Sequence, residues 1–237
     1  MSKQKETILA CIRPVIDFFL EGLFPHRCFG CYRYQTLLCD DCFKRIPRRV
    51  PTTFFVANSP THQKTIDSLT SATYFQVPLI GRLIHSFKYQ SIKDLALPLG
   101  KLLSEAVYHT SIPLPDIITA VPLHKRRLRE RGFNQSFLLA QHLTLTLHEL
   151  MPFVEHLSLL EKTRHTKPQS KQQTRDARLA NLEDAFALHH LYIKADLEGK
   201  TIWLVDDVTT TGATLTACAK VLKSYGAKEV HGFVVAH

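Results

Sequence analysis

The chain has 237 residues and a mass of 27.0 kDa, enough for one large domain or for a typical domain with a small module attached. With 45 % hydrophobic and 22 % charged residues, its composition excludes a largely disordered, collagen-like or low-complexity chain. Thirty Lys and Arg against 21 Asp and Glu give a net charge of +9, which favours a polyanionic partner, either a nucleic acid or a phosphorylated metabolite.

The first segment is apolar from Ile8 to Phe24, but Pro14 and several charged residues interrupt it. A membrane span needs about 20 consecutive apolar residues, and no small-residue cleavage site follows this segment. We therefore predict an amphipathic helix that packs on the protein, with binding to a membrane surface as the alternative. The protein is expected not to be transmembrane and to be cytoplasmic, either free or at the inner face of the cytoplasmic membrane.

Four of the six cysteines lie close together in two Cys-x-x-Cys pairs, formed by Cys28, Cys31, Cys39 and Cys42. Two such pairs supply the four thiolates of a tetrahedral zinc site, and a disulfide pair is the alternative. Because every coordination position would be filled by Cys, such a zinc ion would stabilise a small module and take no part in catalysis.

Basic and aromatic residues surround these cysteines: His26, Arg27, Phe29, Tyr32, Arg33, Tyr34, Phe43, Lys44, Arg45, Arg48 and Arg49. Basic side chains bind phosphates and aromatic rings stack on bases in proteins that hold single-stranded nucleic acids. A very small module must also expose its charges and use its aromatic residues as its core. Both interpretations stay open at this point.

Residues 50–65 are rich in Pro, Thr, Ser and Gln and predict a linker. We therefore assign residues 1–55 to the first helix and zinc module, and residues 66–237 to a second domain. In this domain the patterns predict strands at Ile117–Val121, Thr201–Val205 and Val230–Ala236, and helices at Phe133–Leu150 and Ala213–Tyr225. Strands that alternate with helices in this way favour an α/β fold with a parallel sheet.

A basic segment follows the strand predicted at Ile117–Val121. Its cations are Lys125, Arg126, Arg127, Arg129 and Arg131. A loop at the end of such a strand is well placed to hold a pyrophosphate or a nucleic-acid backbone. The alternative is a solvated helix face without a ligand.

The most specific motif follows the strand predicted at Thr201–Val205. Two acids, Asp206 and Asp207, lead into a loop that comprises Thr209, Thr210, Thr211, Gly212, Ala213 and Thr214. The backbone N–H groups of such a loop, its hydroxyls and the dipole of the next helix bind phosphate. Two acids would repel a nearby phosphate, so their presence is explained if they contact sugar hydroxyls or hydrated Mg²⁺ instead. The motif therefore predicts a pentose-phosphate site.

These residues resemble the phosphoribosyl pyrophosphate (PRPP) motif of type I phosphoribosyltransferases. The resemblance implies a parallel sheet with flanking helices that binds PRPP with Mg²⁺, the ribose hydroxyls at Asp206 and Asp207 and the 5-phosphate at the Thr/Gly loop. Purine-type members carry an acid where Thr210 stands, so the chain is more similar to orotate-type members. Between Lys162 and Arg178, six Lys or Arg accompany one acid. The resemblance implies that this segment is a flexible hood over PRPP, and an idle polar loop is the alternative.

Further motifs resemble those of the ComF family of competence-associated phosphoribosyltransferase-like proteins. They are the four-Cys module, Leu83–Tyr89, the Arg-Gly-Phe-Asn-Gln run from Arg131 to Gln135, and Arg178, Asn181, Ala185 and Phe186. This resemblance implies a protein of natural transformation and DNA uptake that binds PRPP and single-stranded DNA, with the competence helicase as a partner.

Two alternatives remain beside this function. One is a metabolic phosphoribosyltransferase, a glycosyltransferase whose acceptor substrate no residue set identifies. The other is a homologue of the same family without a role in DNA handling, because a shared scaffold does not specify a pathway. Binding of PRPP does not require turnover, so catalytic residues are not assigned.

Overall fold

The computed structural model describes residues 26–49, 65–149, 152–164 and 185–237. The chain divides into two compact units, one ending at Ile46 and the other beginning at Pro47. The predicted first helix, almost all of the predicted linker and most of the predicted hood lie outside the described residues. Within the described ranges, no helix is long and apolar enough to cross a membrane.

The first unit is built around the four cysteines. An isolated antiparallel bridge joins Arg27 and Tyr34, and the short helix α1 (Asp40–Lys44) begins directly after Cys39. Two acids in the first turn of α1 are favourable because the helix dipole is positive there. Apart from cysteines, the buried hydrophobic side chains in the described part of this unit are Phe43 and Ile46. Its apolar core is therefore very small.

The second unit contains a parallel five-stranded sheet. Its strands are β1 (Ser68–Thr73), β2 (Ile117–Ala120), β3 (Glu155–His156), β6 (Thr201–Val208) and β7 (Glu229–Ala236), in the spatial order β1-β7-β6-β2-β3. The short strands β4 (Leu160–Lys162) and β5 (Phe186–Leu188) form a separate antiparallel pair. Fold class is thereby confirmed as α/β with a parallel sheet.

Helices cover both faces of this sheet. They are α2 (Pro78–Tyr89), α3 (Ala96–Tyr108), α4 (Lys125–Arg131), α5 (Gln135–His148), α6 (Lys194–Leu197) and α7 (Ala213–Ser224). In β6, Ile202 and Leu204 pack in one cluster with Leu215 of α7, whereas Trp203 points to the other face and contacts Phe233 at 4.4 Å between ring centroids. Because both faces are covered, the central strand is continuously apolar from Ile202 to Val205 rather than alternating.

The elements predicted for this domain are confirmed, with shifts of one to three residues at their ends. Strand β6 continues to Val208, because Asp206 and Val208 pair in register with Val234 and Ala236 of β7. The acid pair therefore lies within the strand rather than after it.

The basic segment after β2 is a helix, α4, and not a loop. Arg, Lys, Leu and Glu are strong helix formers, and the His124 side chain caps the helix by accepting a hydrogen bond from the Arg126 N–H at 3.2 Å. Gly132 ends the helix in the left-handed region, at φ 77°.

Candidate ligand site and candidate metal site

The carboxyl ends of β2 and β6 lie side by side in the sheet. From β2 the chain passes through α5 to β3 on one side, and from β6 it passes through α7 to β7 on the other. Open α/β sheets bind ligands in the crevice formed where two such connections diverge. The acid pair lies near the carboxyl end of β6, the Thr/Gly loop follows β6 and α4 follows β2, so the topology brings them to one edge.

The two acids of β6 have different partners. The Asp207 side chain is only 7 % exposed, and its Oδ1 lies 2.8 Å from Nζ of Lys88, near the end of α2. Asp206 Oδ1 instead accepts hydrogen bonds from Oγ of Ser136, at 2.7 Å, and from the Asp207 backbone N–H, at 2.9 Å. Each carboxylate is thus held in place by a different helix of the domain.

Electrostatics at this pair favour protonation of one acid. Burial, and then the neighbouring charge of Asp207, raise the pKa of Asp206 to about 7, against the opposing effects of Lys88 and the Ser136 hydroxyl. Two carboxylates in one crevice therefore attract a cation or a donor of hydrogen bonds. Sugar hydroxyls and hydrated Mg²⁺ both meet this requirement.

The Thr/Gly loop forms a tight turn between β6 and α7. Oγ1 of Thr209 accepts from the Gly212 N–H at 3.1 Å, and Oγ1 of Thr211 accepts from the Ala213 N–H at 3.4 Å. Gly212 has a φ of 75°, a conformation that L side chains rarely adopt. Helix α7 runs for 12 residues from this turn, so its positive end lies at the loop, as a phosphate site requires.

The loop is also held by the residue that follows the neighbouring strand β7. Nε2 of His237 lies 3.2 Å from the Thr210 carbonyl oxygen, and Nδ1 lies 3.2 Å from a guanidinium nitrogen of Arg49. Arginine can only donate, so Nδ1 accepts and the neutral imidazole carries its proton on Nε2, which donates to Thr210. His237 and Arg49 thereby restrain the backbone of the loop.

The five cations of α4 do not form one cluster. Arg127 and Arg131 are half-buried, whereas Lys125, Arg126 and Arg129 are exposed. Arg126 pairs with Glu130 at 3.0 Å. Arg131 donates to Oε1 of Gln135 at 3.0 Å, and its guanidinium carbon lies 5.2 Å from the centre of the Tyr89 ring.

Lys162, at the end of β4, interacts electrostatically with Arg127 of α4 and Asp206 of β6. Burial, and then the charge of Arg127, lower the pKa of Lys162, whereas Asp206 raises it. Its Nζ lies 4.8 Å from the centre of the Phe186 ring on the paired strand.

The four cysteines of the first unit have the geometry of a metal site. Their four Sγ atoms lie within 4.8 Å of one another, with Cys28 and Cys31 at 3.7 and 3.6 Å from Cys39. A tetrahedral zinc ion with Zn–S bonds of about 2.3 Å places its sulfurs about 3.8 Å apart, whereas a disulfide needs about 2.05 Å. A Cβ on Gly30 would lie 2.5 Å from Sγ of Cys42, so only glycine fits this turn.

The thiols of this cluster compete for protons. Burial raises the pKa of Cys28, but backbone N–H donors, led by that of Cys31, outweigh this effect and lower it to about 6. Burial, and then the thiol of Cys39, raise the pKa of Cys42 to about 12. A divalent cation would remove this conflict, because it binds all four groups as thiolates. This donor set could hold a metal ion such as zinc.

Three residues of the crevice were not assigned a role from the sequence. Lys88 was noted only as part of a family motif, Lys162 only as one charge of a polar segment, and Ser136 not at all. A helical or strand pattern does not indicate which distant side chain a lysine or serine contacts. The position of Ser136 after the Asn134 cap, whose side chain donates to the Val121 carbonyl at 3.0 Å, is a signal that could have identified it.

Comparison with known proteins decides the family. DNA utilization protein YhgH of Escherichia coli is 33 % identical over 210 residues, which cover 86 % of this chain and 85 % of that protein. Competence protein F of Haemophilus influenzae is 30 % identical over 213 residues, which cover 87 % and 82 % of the two chains. This chain belongs to the ComF family. The four-Cys module, the Arg131–Gln135 run and the acid pair are thus features of a ComF-family protein.

The phosphoribosyl transferase domain family matches residues 134–237 of this ComF-family chain, a range that contains α5, the acid pair and the Thr/Gly loop. Among solved structures, an allosteric regulatory enzyme of purine biosynthesis is similar over 62 % of this chain and 25 % of that one, at 21 % identity and a TM-score of 0.36. The ComF-family chain is a competence-related, phosphoribosyltransferase-like protein.

Proposed function

We propose that this ComF-family protein binds PRPP together with Mg²⁺ in the crevice between β2 and β6, and that it binds single-stranded DNA beside that crevice. The observation that carries the proposal is the acid pair of β6 next to the Thr/Gly loop, at the point where the sheet connections diverge. One buried and one half-buried carboxylate beside an anion-binding turn suit a ligand that carries both hydroxyls and a phosphate.

Each part of PRPP has a complementary group. The 5-phosphate is assigned to the turn at Thr210–Thr214 and the positive end of α7, and the ribose hydroxyls to Asp206 and Asp207. The pyrophosphate is assigned to the region after Val121, where Arg127 and Lys162 supply positive charge. Mg²⁺ bound with the ligand would neutralise part of the pyrophosphate charge, and the carboxylates and hydroxyls of the crevice are the oxygen donors that it prefers.

The four-cysteine cluster is proposed to hold a structural zinc ion. All four donors are Cys, so no coordination position stays open for a substrate. The basic and aromatic residues around the cluster, together with α4, are proposed as the surfaces for DNA. The competence helicase is a proposed partner. The proposed location is the cytoplasm, either free or at the inner face of the cytoplasmic membrane.

Titration calorimetry with PRPP and Mg²⁺ tests the crevice. Asp207→Asn should weaken binding roughly 10- to 100-fold, because a charge-assisted contact is lost. The matched control is Glu198→Gln, since Glu198 is an exposed acid paired with Lys194 at 3.8 Å, away from the acid pair. Equal affinity of Asp207→Asn and the parent would contradict the site.

A second experiment separates binding from catalysis. The parent is incubated with PRPP, Mg²⁺ and a panel of nitrogen-containing acceptors, and pyrophosphate release is followed. Binding without release fits a protein that uses PRPP as a bound ligand. Release with one acceptor would make the protein a phosphoribosyltransferase in its own right.

A further inference from the structure

We propose that Tyr89, supported by His85 and Arg131, is a base-stacking platform for single-stranded nucleic acid next to the cations of α4. The proposal rests on the DNA binding proposed above and names the residues that would distinguish single-stranded from double-stranded DNA. We call these three side chains the Tyr89 platform.

The ring of Tyr89 is exposed and yet held in place. It is the last residue of α2 and is 65 % exposed. Its centroid lies 4.9 Å from that of His85, one helical turn earlier, and 5.2 Å from the guanidinium carbon of Arg131. A large ring that is fixed but still mostly in water loses little conformational entropy when a further flat group stacks on it.

Helix α4 supplies charge of the right sign beside this ring. It carries five cations and one acid, and that acid, Glu130, is paired with Arg126. The platform and α4 are also joined through the backbone, because Oγ of Ser91 donates to the Arg131 carbonyl at 3.2 Å. Lys93, four residues after Tyr89, lies over the Phe133 ring at 5.5 Å and adds a further cation on this side.

This combination suits an unpaired strand better than a duplex. A single strand offers both phosphates and free base faces, and proteins that bind it without sequence preference combine a basic track with aromatic rings. In a duplex the base faces are stacked on one another, so only the phosphates could use this surface. An acidic peptide would match the charge of α4 but would leave the exposed ring without a flat partner.

Fluorescence anisotropy with a labelled oligothymidine, across a salt series, tests the platform on the full-length protein. Tyr89→Ala should weaken binding roughly 5- to 100-fold, the range found when a ring that stacks on a base is removed. Tyr89→Phe should bind like the parent, because stacking uses the ring and not the hydroxyl. The matched control is Tyr108→Ala, since Tyr108 is also the last residue of a helix, α3, and is 53 % exposed.

The salt series separates the ring from the charges. Tyr89→Ala should leave the slope of affinity against salt unchanged, whereas Arg129→Gln should reduce it, because only the second change removes a phosphate contact. Neither alanine variant should change binding of a blunt duplex.

Three outcomes would overturn the platform. If Arg129→Gln weakens binding but Tyr89→Ala does not, DNA binding stands and the platform is wrong. If Tyr89→Ala and Tyr108→Ala weaken binding equally, the effect is not specific to this ring. If the parent does not bind the oligonucleotide even at low salt, the proposed DNA binding itself fails, and the platform with it.

Discussion

The crevice and the four-cysteine cluster are both groups of ionisable side chains held close together, but they are assembled by different means. In the crevice, Asp206 and Asp207 are fixed by strand pairing within a five-stranded sheet and by partners on α2 and α5. In the cluster, four thiols face one another over a very small apolar core. Strand pairing and helix packing position the first group, whereas in the second a divalent cation would offset the closeness of the thiols.

The largest effect is expected when two of the four thiolate donors of the cysteine cluster are removed. In a variant with Cys39→Ser and Cys42→Ser, we expect loss of stoichiometric zinc and unfolding of the first unit, since structural zinc contributes on the order of 10 kcal/mol to small modules. Metal analysis and limited proteolysis of the full chain measure both effects. The thermal transition of the second unit should persist, and retained zinc would refute the ligand set.

The acid pair of the crevice should be destabilised when the cation that pairs with it, Lys88, is removed. Lys88→Met removes the cationic partner of Asp207, whose side chain is nearly fully buried. This loss should lower the free energy of unfolding at pH 8 by about 3 kcal/mol. The matched control is Lys200→Met, whose pair with Asp116 is nearly half exposed and should contribute less than about 1 kcal/mol. Equal losses for the two variants would show that Lys88 does not stabilise the acid pair.

The Asp206 carboxylate should favour ligand binding but lower the stability of the folded protein. A carboxyl group whose pKa is raised in the folded state destabilises that state as the pH rises from the ordinary value of 3.8 to about 7, and this penalty remains above pH 7. Asp206→Asn removes this penalty and should therefore raise the melting temperature at pH 8. The expected rise is roughly 2–4 °C for each kcal/mol by which the folded state is stabilised, with no rise near pH 4. The same variant should lose affinity for PRPP. Thermal unfolding at the two pH values checks the first part, and a lower melting temperature at pH 8 would contradict it.

A smaller effect would connect the crevice with the Tyr89 platform. Lys88 forms an ion pair with Asp207, and Tyr89 is the next residue of α2. We therefore expect a ligand that changes the Lys88 contact to shift Tyr89 as well. We expect PRPP with Mg²⁺ to change oligothymidine affinity about fivefold, at the lower end of ordinary coupling energies. Anisotropy with and without PRPP measures it, and Lys88→Arg, which keeps the ion pair, is the control. Unchanged affinity at saturating PRPP would show that the two sites are independent.

Several features of the crevice were predictable because they are local in the sequence. An apolar run followed by two acids and a Thr/Gly turn specifies a buried strand, a pair of carboxylates and the start of a helix within 14 residues. The extension of β6 through both acids was not predictable, because it depends on pairing with β7, more than 20 residues later. The roles of Lys88 and Ser136 were missed for the same reason, as their partners lie 119 and 70 residues away.

The fold class, the family motifs and the four cysteines could be identified from the amino-acid pattern alone, because each depends on spacing within a short segment. The tertiary structure decided that Lys88 neutralises Asp207, that Ser136 holds Asp206, and that His237 restrains the Thr/Gly loop. It also divided the basic segment, because Arg131 lies over the Tyr89 ring whereas the charge of Arg127 lowers the pKa of Lys162. The physical reason is that charges and hydrogen bonds select partners by distance in space, which only the packing of the helices on the sheet sets.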